Sequence, residues 1–151
     1  MNYDNSMRIY FKSDSRNEAF ARISVAAFIM QTDPTLSDIS DIKTSVSEAV
    51  TNAIIHGYEN GEGIVELFCG YENDVIYIEI IDKGKGIENI EKAMMPLYTT
   101  KIDEERSGMW FTVMETFMDT VKVESKKGCG TKIIMTKKIN ATSLKWGEFY
   151  G

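Results

Sequence analysis

The chain has 151 residues, a formal net charge of -6 at pH 7, and 43% hydrophobic residues. This length suits one domain with its own core, and the acidic balance argues against direct nucleic-acid binding, which needs a basic surface. We see no N-terminal signal peptide and no apolar run long enough to span a bilayer. Cys69 and Cys129 form no metal or disulfide pattern. We therefore expect a reduced, cytoplasmic protein with no membrane contact.

The first part of the chain predicts one strand and one helix. Residues 7–11 alternate between outward and inward positions and predict a strand. Ser15, with Glu18 three residues later, predicts a capping box at the start of a helix that ends before Asp33-Pro34. The apolar face of this helix is predicted to carry Phe20, Ile23, Ala27 and Met30. Arg22 lies away from that face, where a solvated arginine is the simplest interpretation.

A second helix follows, capped by Thr35 or Ser37 and stopped by Gly57. Helical spacing predicts an apolar face made of Ile39, Ile42, Val46, Ala49, Val50, Ala53 and Ile54. The opposite face is predicted to stack Asp41, Ser45, Glu48 and Asn52. A carboxylate and a carboxamide therefore project together from a helix whose other side belongs to the core. On this stretch alone, an ordinary solvated polar face is the more common interpretation.

The remaining pattern predicts an α+β fold. Residues 64–69 and 75–81 predict a hairpin whose Ile76, Ile78 and Ile80 face the helices. After them we expect a glycine-containing turn at 82–86, a helical turn at 90–93, a loop at 94–106, a helix at 109–118, and strands at 121–125 and 131–136. This order fits a two-layer sandwich, with a mixed, largely antiparallel sheet covered on one face by helices. We expect residues 1–139 to form the domain and 140–151 to be a flexible tail.

Four motifs in chain order carry a resemblance. Glu48-x-x-x-Asn52, Asp82-x-Gly84-x-Gly86, a glycine-containing lid at 106–109 and Gly130-Thr131 resemble the Bergerat-type ATP-binding fold of gyrase, Hsp90, histidine kinases and MutL. Segments 47–58, 96–101 and 105–109 resemble more closely the anti-sigma F factors of spore-forming bacteria, which are serine protein kinases. The resemblance covers roughly residues 7–138.

This resemblance implies a homodimer that binds ATP or ADP with Mg²⁺. It also implies that the protein inhibits a sporulation sigma factor (sigma F) and phosphorylates a serine on its anti-anti-sigma antagonist. By the same resemblance, Asp82 reads the adenine amino group and Arg22 contacts the protein partners. The other nucleotide-binding residues are expected to be Asn52, His56, Gly84, Gly86, Thr99, Thr100, Lys101, Arg106, Ser107, Gly108, Met109 and Thr131.

The residue types suit these roles. The neutral oxygen of Asn52 suits Mg²⁺ that also holds phosphate oxygens, and Glu48, one helical turn earlier, suits a general base. His56 is the only histidine and cannot form a metal site alone, so its default is a structural role at the helix end, close to the nucleotide. Ser107 is expected to cap a helix whose first amides, at Gly108, attract phosphate.

One position departs from the family pattern. The resembled kinases carry glycine two residues after Gly108, where this chain has Trp110. A bulky side chain there predicts altered lid contacts with phosphate. Two alternatives to the kinase therefore stay open: a nucleotide-dependent sigma-binding module whose phosphotransfer is weakened through Trp110, and a stand-alone histidine-kinase-like ATPase. The second lacks support because no phosphohistidine helix pair is visible in the sequence.

Overall fold

Five strands form one sheet in the computed structural model, which describes residues 2–94 and 102–139 and only the backbone of 102–108. The strands are β1 (Asn5–Lys12), β2 (Ile64–Glu72), β3 (Val75–Asp82), β4 (Thr120–Ser125) and β5 (Thr131–Lys138). They lie in the order β1-β2-β3-β5-β4. All four pairings are antiparallel, and Asp82 lies opposite Thr131 where β3 meets β5.

The helices provide the second layer. They are α1 (Asn17–Ile29) with a 3-10 turn (Met30–Thr32), α2 (Leu36–Asn52) with a π-helical turn (Ala53–Gly57), α3 (Ile90–Met94) and α4 (Ile102–Phe117). Helix α2 packs against both α1 and α4. The predicted α+β fold class is therefore confirmed. Among the described residues, no helix combines the length and the apolar character that crossing a bilayer requires.

The core lies between the sheet and α2. Ile76, Ile78 and Ile80 alternate along β3 and are buried, as predicted. Burial of one such side chain stabilises the fold by roughly 1.5–3 kcal/mol. From α2 the core receives Ile42, Val46, Ala49 and Val50. The helix whose end carries Glu48 and Asn52 is therefore fixed firmly on the sheet.

Helix α1 is apolar on two sides, and the structure buries the side that the sequence pattern did not indicate. The buried side consists of Ala21, Val25 and Ile29. The predicted core face is wrong: Phe20 is 54% exposed and Ile23 is 58% exposed. We call this exposed side the α1 stripe; it consists of Phe20, Ile23, Ala27 and Met30. Both sides have helical spacing, so spacing alone does not decide which one packs on α2.

The helix caps are also partly different from prediction. The capping box at Ser15 and Glu18 is wrong, because α1 begins after Arg16 without a side-chain cap. Asp14 instead accepts hydrogen bonds from the backbone and guanidinium of Arg16. The cap of α2 by Thr35 is confirmed, and it forms a reciprocal capping box with Asp38.

The predicted polar face of α2 is only partly solvated. Ser45 is fully buried, and Asn52 is 6% exposed. Asp41 forms an ion pair with Lys137 of β5 at 3.4 Å. Because α4 packs on this side of α2, the stripe faces another helix along part of its length. Its end, at Glu48 and Asn52, opens onto cavities.

Helix α4 begins earlier than the sequence pattern predicts. It starts at Ile102 rather than at Met109, since acidic residues in a first turn favour helix and one internal glycine costs only about 1 kcal/mol. Ser107 and Gly108 therefore lie inside the helix. The prediction that Ser107 caps the helix and that Gly108 presents its first amides is wrong in this structure.

Candidate functional site

Asp82 ends β3 with a buried carboxylate, 4% exposed, beneath the π-helical turn. The backbone amide of Gly84 donates to its Oδ1 at 2.9 Å, and the amide of Thr131 also donates to the carboxylate. Burial raises the pKa of Asp82, while these two amide hydrogen bonds lower it, and burial is the larger effect. A buried carboxylate with remaining acceptor capacity suits recognition of an amino group.

Two glycines allow the π-helical turn to lie against the end of β3, and we call this contact the Asp82 corner. A Cβ at Gly57 would lie 2.7 Å from Oδ1 of Asp82, and one at Gly84 would lie 1.9 Å from the carbonyl oxygen of Gly57. No larger residue fits either place without displacing the backbone or the carboxylate. Glycine is therefore required at position 57 by this close contact. Gly57 is not a left-handed helix stop, since the residues with positive φ after this helix are Glu59 and Asn60. The amide of Lys85 completes the corner by donating to the Gly57 carbonyl at 2.9 Å.

Two adjoining cavities open beside this corner. The first, which we call the central cavity, has a volume of about 350 Å³ and contains in its wall Asn52, His56, Gly57, Lys85, Gly86, Trp110 and Thr131. The second, the outer cavity, has a volume of about 630 Å³ and shares Asn52, His56, Lys85 and Trp110. Glu48 and Met109 line only the outer cavity of these two. A larger cavity of about 730 Å³ lies between residues 12–15 and 60–64 and contains none of the predicted site residues.

Glu48 also lines a third space on its other side. This α1–α2 groove has a volume of about 570 Å³ and is bordered by Glu18, Arg22, Leu36, Ile39, Ser40, Lys43, Thr44, Ser47 and Glu48. Burial, followed by the nearby charge of Glu18, raises the pKa of Glu48. A carboxylate with raised proton affinity is a better proton acceptor. The structure thus brings Glu48 to the border between the groove of Arg22 and the cavity of Asn52.

Trp110 is part of the wall of the site and of the core. It is 4% exposed and packs edge-to-face on Phe111, with ring centroids 5.8 Å apart. It borders both the central and the outer cavity. Most of this side chain is packed in the protein. The predicted effect of Trp110 on lid contacts with phosphate stays a prediction, because residues 95–101 lie outside the described residues.

The structure describes only part of the predicted lid. Thr99, Thr100 and Lys101 lie outside the described residues, and the side chains of Arg106, Ser107 and Gly108 are not described. Of the other predicted residues, Asn52, His56, Gly86 and Thr131 meet around the central cavity, with Met109 on the outer one. Gly84 and Asp82 form the corner behind it.

Sequence reasoning missed two groups at this site. Lys85, the residue between the two glycines of the 82–86 turn, lines both cavities, and its position inside that motif was the available signal. Glu18 and Ser47 form a hydrogen bond beside Glu48 although 29 residues separate them. No local pattern indicates a contact of that range.

Comparison with known proteins gives a consistent result. A model of the histidine kinase-like ATPase domain matches residues 11–137. The chain is 61% identical over 141 residues to the anti-sigma F factor of Clostridium beijerinckii and 60% identical over 141 residues to that of Clostridium kluyveri; each match covers 93% of this chain and 99% of the relative.

Solved structures agree on the fold. The RsbU and RsbW domains of Rv1364c from Mycobacterium tuberculosis superpose with a TM-score of 0.65 at 17% identity, covering 89% of this chain and 32% of that one. The catalytic domain of the histidine kinase ThkA gives 0.55 at 16% identity, covering 88% and 96%. With the matched motifs gathered around one pair of cavities, this chain belongs to the anti-sigma F factors, within the histidine kinase-like ATPase domain family.

Proposed function

We propose that this protein binds ATP with Mg²⁺, inhibits a sigma factor of the sigma F type, and phosphorylates a serine on an anti-anti-sigma antagonist. One observation carries the proposal: Glu48 borders both the α1–α2 groove and the outer cavity. A serine that approaches through the groove and a phosphate that extends from the cavity meet at this one carboxylate. The relatives of this chain are anti-sigma F factors, and this supports the sigma partner.

The corner at Asp82 suits adenine. Its carboxylate keeps acceptor capacity after the Gly84 and Thr131 amides have bound it, so it can accept a hydrogen bond from the exocyclic amine. Thr131, Gly57 and Gly86 provide the neighbouring wall. Because ADP carries the same base, the proposal covers both nucleotides.

The carboxamide of Asn52 suits Mg²⁺. Among the side chains that the structure describes, no group of three or more His, Cys, Asp or Glu residues could hold a metal. Magnesium keeps most of its waters and often needs only one or two protein ligands besides phosphate. When bound, it would neutralise negative charge on the phosphate oxygens. His56 and Lys85 line the same cavity, and Lys85 adds positive charge there.

Glu48 takes the serine proton in this proposal. The serine Oγ–H bond breaks as the proton passes to the carboxylate, Oγ forms a bond to the terminal phosphorus, and ADP leaves with the electrons of the broken P–O bond. Phosphoryl transfer is loose, so holding Oγ in line matters as much as the basicity of Glu48.

Asn52→Ala is expected to weaken ATP binding in the presence of Mg²⁺ by about 10- to 100-fold, because one contact to a charged group is worth roughly 1.5–3 kcal/mol. Calorimetric titration with and without Mg²⁺ measures this, and the variant should lose the Mg²⁺-dependent part. The thermal midpoint should stay near that of the wild type. A lower midpoint with unchanged affinity would make Asn52 a purely structural residue.

Asp82→Asn is expected to reduce ATP affinity by about tenfold or more, since the charged acceptor for the adenine amine is lost.

The raised pKa of Asp82 means that ionisation of this carboxylate opposes folding. Stability from this group is present below its unfolded pKa and is lost as pH rises through its folded pKa. The variant should therefore lose less stability than the wild type between pH 4 and pH 7 in urea unfolding. Parallel stability curves would contradict the assignment of burial as the larger effect.

Arg22→Glu is expected to abolish capture of the sigma factor while ATP affinity stays near wild type. Arg22 is partly buried in the groove and lies apart from the central and outer cavities. Pull-down of a sigma F-type factor measures the effect. The matched control is Arg16→Glu, the same reversal at an exposed arginine at the start of α1. Equal capture by both variants would remove Arg22 from the partner surface.

The test of the whole proposal is transfer of ³²P from γ-labelled ATP to a serine-bearing anti-anti-sigma protein. A partner in which alanine replaces the target serine is the control. Label on the serine partner alone supports the kinase. The alternative of a sigma-binding module with weakened phosphotransfer has one observation in its favour, because Trp110 borders the site. Sigma capture without any label on the serine partner would favour that alternative.

A homodimer and a cytoplasmic location complete the proposal. The α1 stripe offers an apolar helix face that a second copy can cover, and light scattering of the purified protein tests this. Residues 140–151 lie outside the described residues. We propose that they form a tail beyond the 1–139 domain.

A further inference from the structure

Glu18 connects the two helices that border the groove. Its Oε1 accepts a hydrogen bond from Nε of Arg22 at 3.1 Å and another from Oγ of Ser47. One oxygen of a partly buried carboxylate thus holds the cation of α1 and the hydroxyl of α2. Ser47 immediately precedes Glu48, so this oxygen lies beside both functional groups of the groove.

We propose that Glu18 is a positioning residue that keeps Arg22 paired away from Glu48, so that Arg22 stays directed toward the protein partner and Glu48 stays available to accept a proton. The proposal rests on the proposed function of the same site. This role gives a reason why the groove holds a second carboxylate, Glu18, besides Glu48.

The charges around Glu48 support this reasoning. Besides Glu18 and Arg22, the titratable or charged groups that line the groove and the outer cavity are Lys43, His56, Glu59 and Lys85. Helix α4 contributes Met109, Trp110 and Val113 among the side chains that the structure describes. Arg22 lines the same groove as Glu48 and is paired with Glu18, which also accepts a hydrogen bond from Ser47, the residue before Glu48.

Loss of Glu18 changes this balance in two ways. It removes a negative charge that raises the pKa of Glu48; this charge is the second cause of the raised pKa, and burial is the larger one. It also frees Arg22 to pair with Glu48, and an opposite charge within about 4–6 Å lowers a carboxyl pKa by roughly 1–3 units. Both changes weaken Glu48 as a proton acceptor.

The decisive variant is Glu18→Gln, which keeps the size of the side chain and its ability to accept hydrogen bonds. We expect the titration of the Glu48 carboxyl, followed by carbon-13 NMR and assigned with Glu48→Gln, to move about one pH unit or more lower. The acid limb of the phosphotransfer rate against pH should move in the same direction. Ser47→Ala is the matched control, because it removes the hydrogen bond from Ser47 to Glu18 but keeps the charge of Glu18, and its Glu48 titration should overlap that of the wild type.

A second variant separates the two effects. Adding Arg22→Gln to Glu18→Gln should return the Glu48 titration part of the way, since the freed cation is gone. If Glu18→Gln does not fold, Glu18→Asp serves instead, because its shorter carboxylate draws back from Arg22 and should shift the titration in the same direction. A Glu48 titration that is unchanged in the folded Glu18 variant would overturn the proposal. Absence of phosphotransfer in the wild type would contradict the proposed function, while the NMR titration would still decide the role of Glu18.

Discussion

Glu48→Gln is expected to lower phosphotransfer to the serine partner by about two to four orders of magnitude, the usual contribution of a general base. The substitution keeps the size and much of the hydrogen bonding of the side chain but cannot accept a proton. Affinity for ATP and for the sigma factor should stay near wild type, because Glu48 lies at the border of the cavities rather than at the Asp82 corner. Single-turnover transfer of labelled phosphate measures the chemical step directly.

A matched control is available for this variant. Glu62→Gln makes the same change of charge at an exposed loop residue that borders neither the central cavity, nor the outer cavity, nor the α1–α2 groove. We expect its transfer rate to equal that of the wild type. Equal rates for Glu48→Gln and the wild type would mean that the serine proton leaves by another route.

Trp110→Ala is expected to cost about 3–5 kcal/mol in the free energy of unfolding, the usual loss for truncation of a large buried aromatic side chain. Total stabilities of about 5–15 kcal/mol are usual, so this variant should be close to unfolding at moderate temperature. Trp110→Gly should lose roughly 1 kcal/mol more, because glycine disfavours the interior of α4.

Urea unfolding followed by circular dichroism measures this loss without depending on tryptophan emission. Met109→Ala is the control, since Met109 is the preceding residue of α4 and its side chain is half exposed; its loss should stay near 0.5 kcal/mol. A Trp110→Ala variant within about 1 kcal/mol of the wild type would show that the indole is not a supporting part of the core.

Sequence patterns predicted most of the sheet and the position of its functional end. The alternation of Ile76, Ile78 and Ile80 determined which face of β3 is buried, and Asp82 then followed at the end of that strand. Sequence patterns failed to predict the buried face where both sides of a helix have equally regular apolar spacing. Helix α1 has apolar residues at helical spacing on both sides, so only its packing partner decides which side is buried.

The site was predictable as motifs but not as contacts. Asn52 and Asp82 were identified because each belongs to a short pattern, and the structure places both beside Gly57. The hydrogen bond from Ser47 to Glu18 joins residues on different helices. Such a contact depends on how α1 lies on α2, which neither helix specifies locally.

The α1 stripe has a consequence for how the stability of this protein is measured. A ligand that binds the folded chain and not the unfolded chain raises the free energy of unfolding by mass action. Any protein that covers Phe20 and Ile23 acts in this way. The melting temperature should therefore rise with the fraction of chains on which that helix face is covered. Melting curves collected over a range of protein and partner concentrations would then report binding without any label.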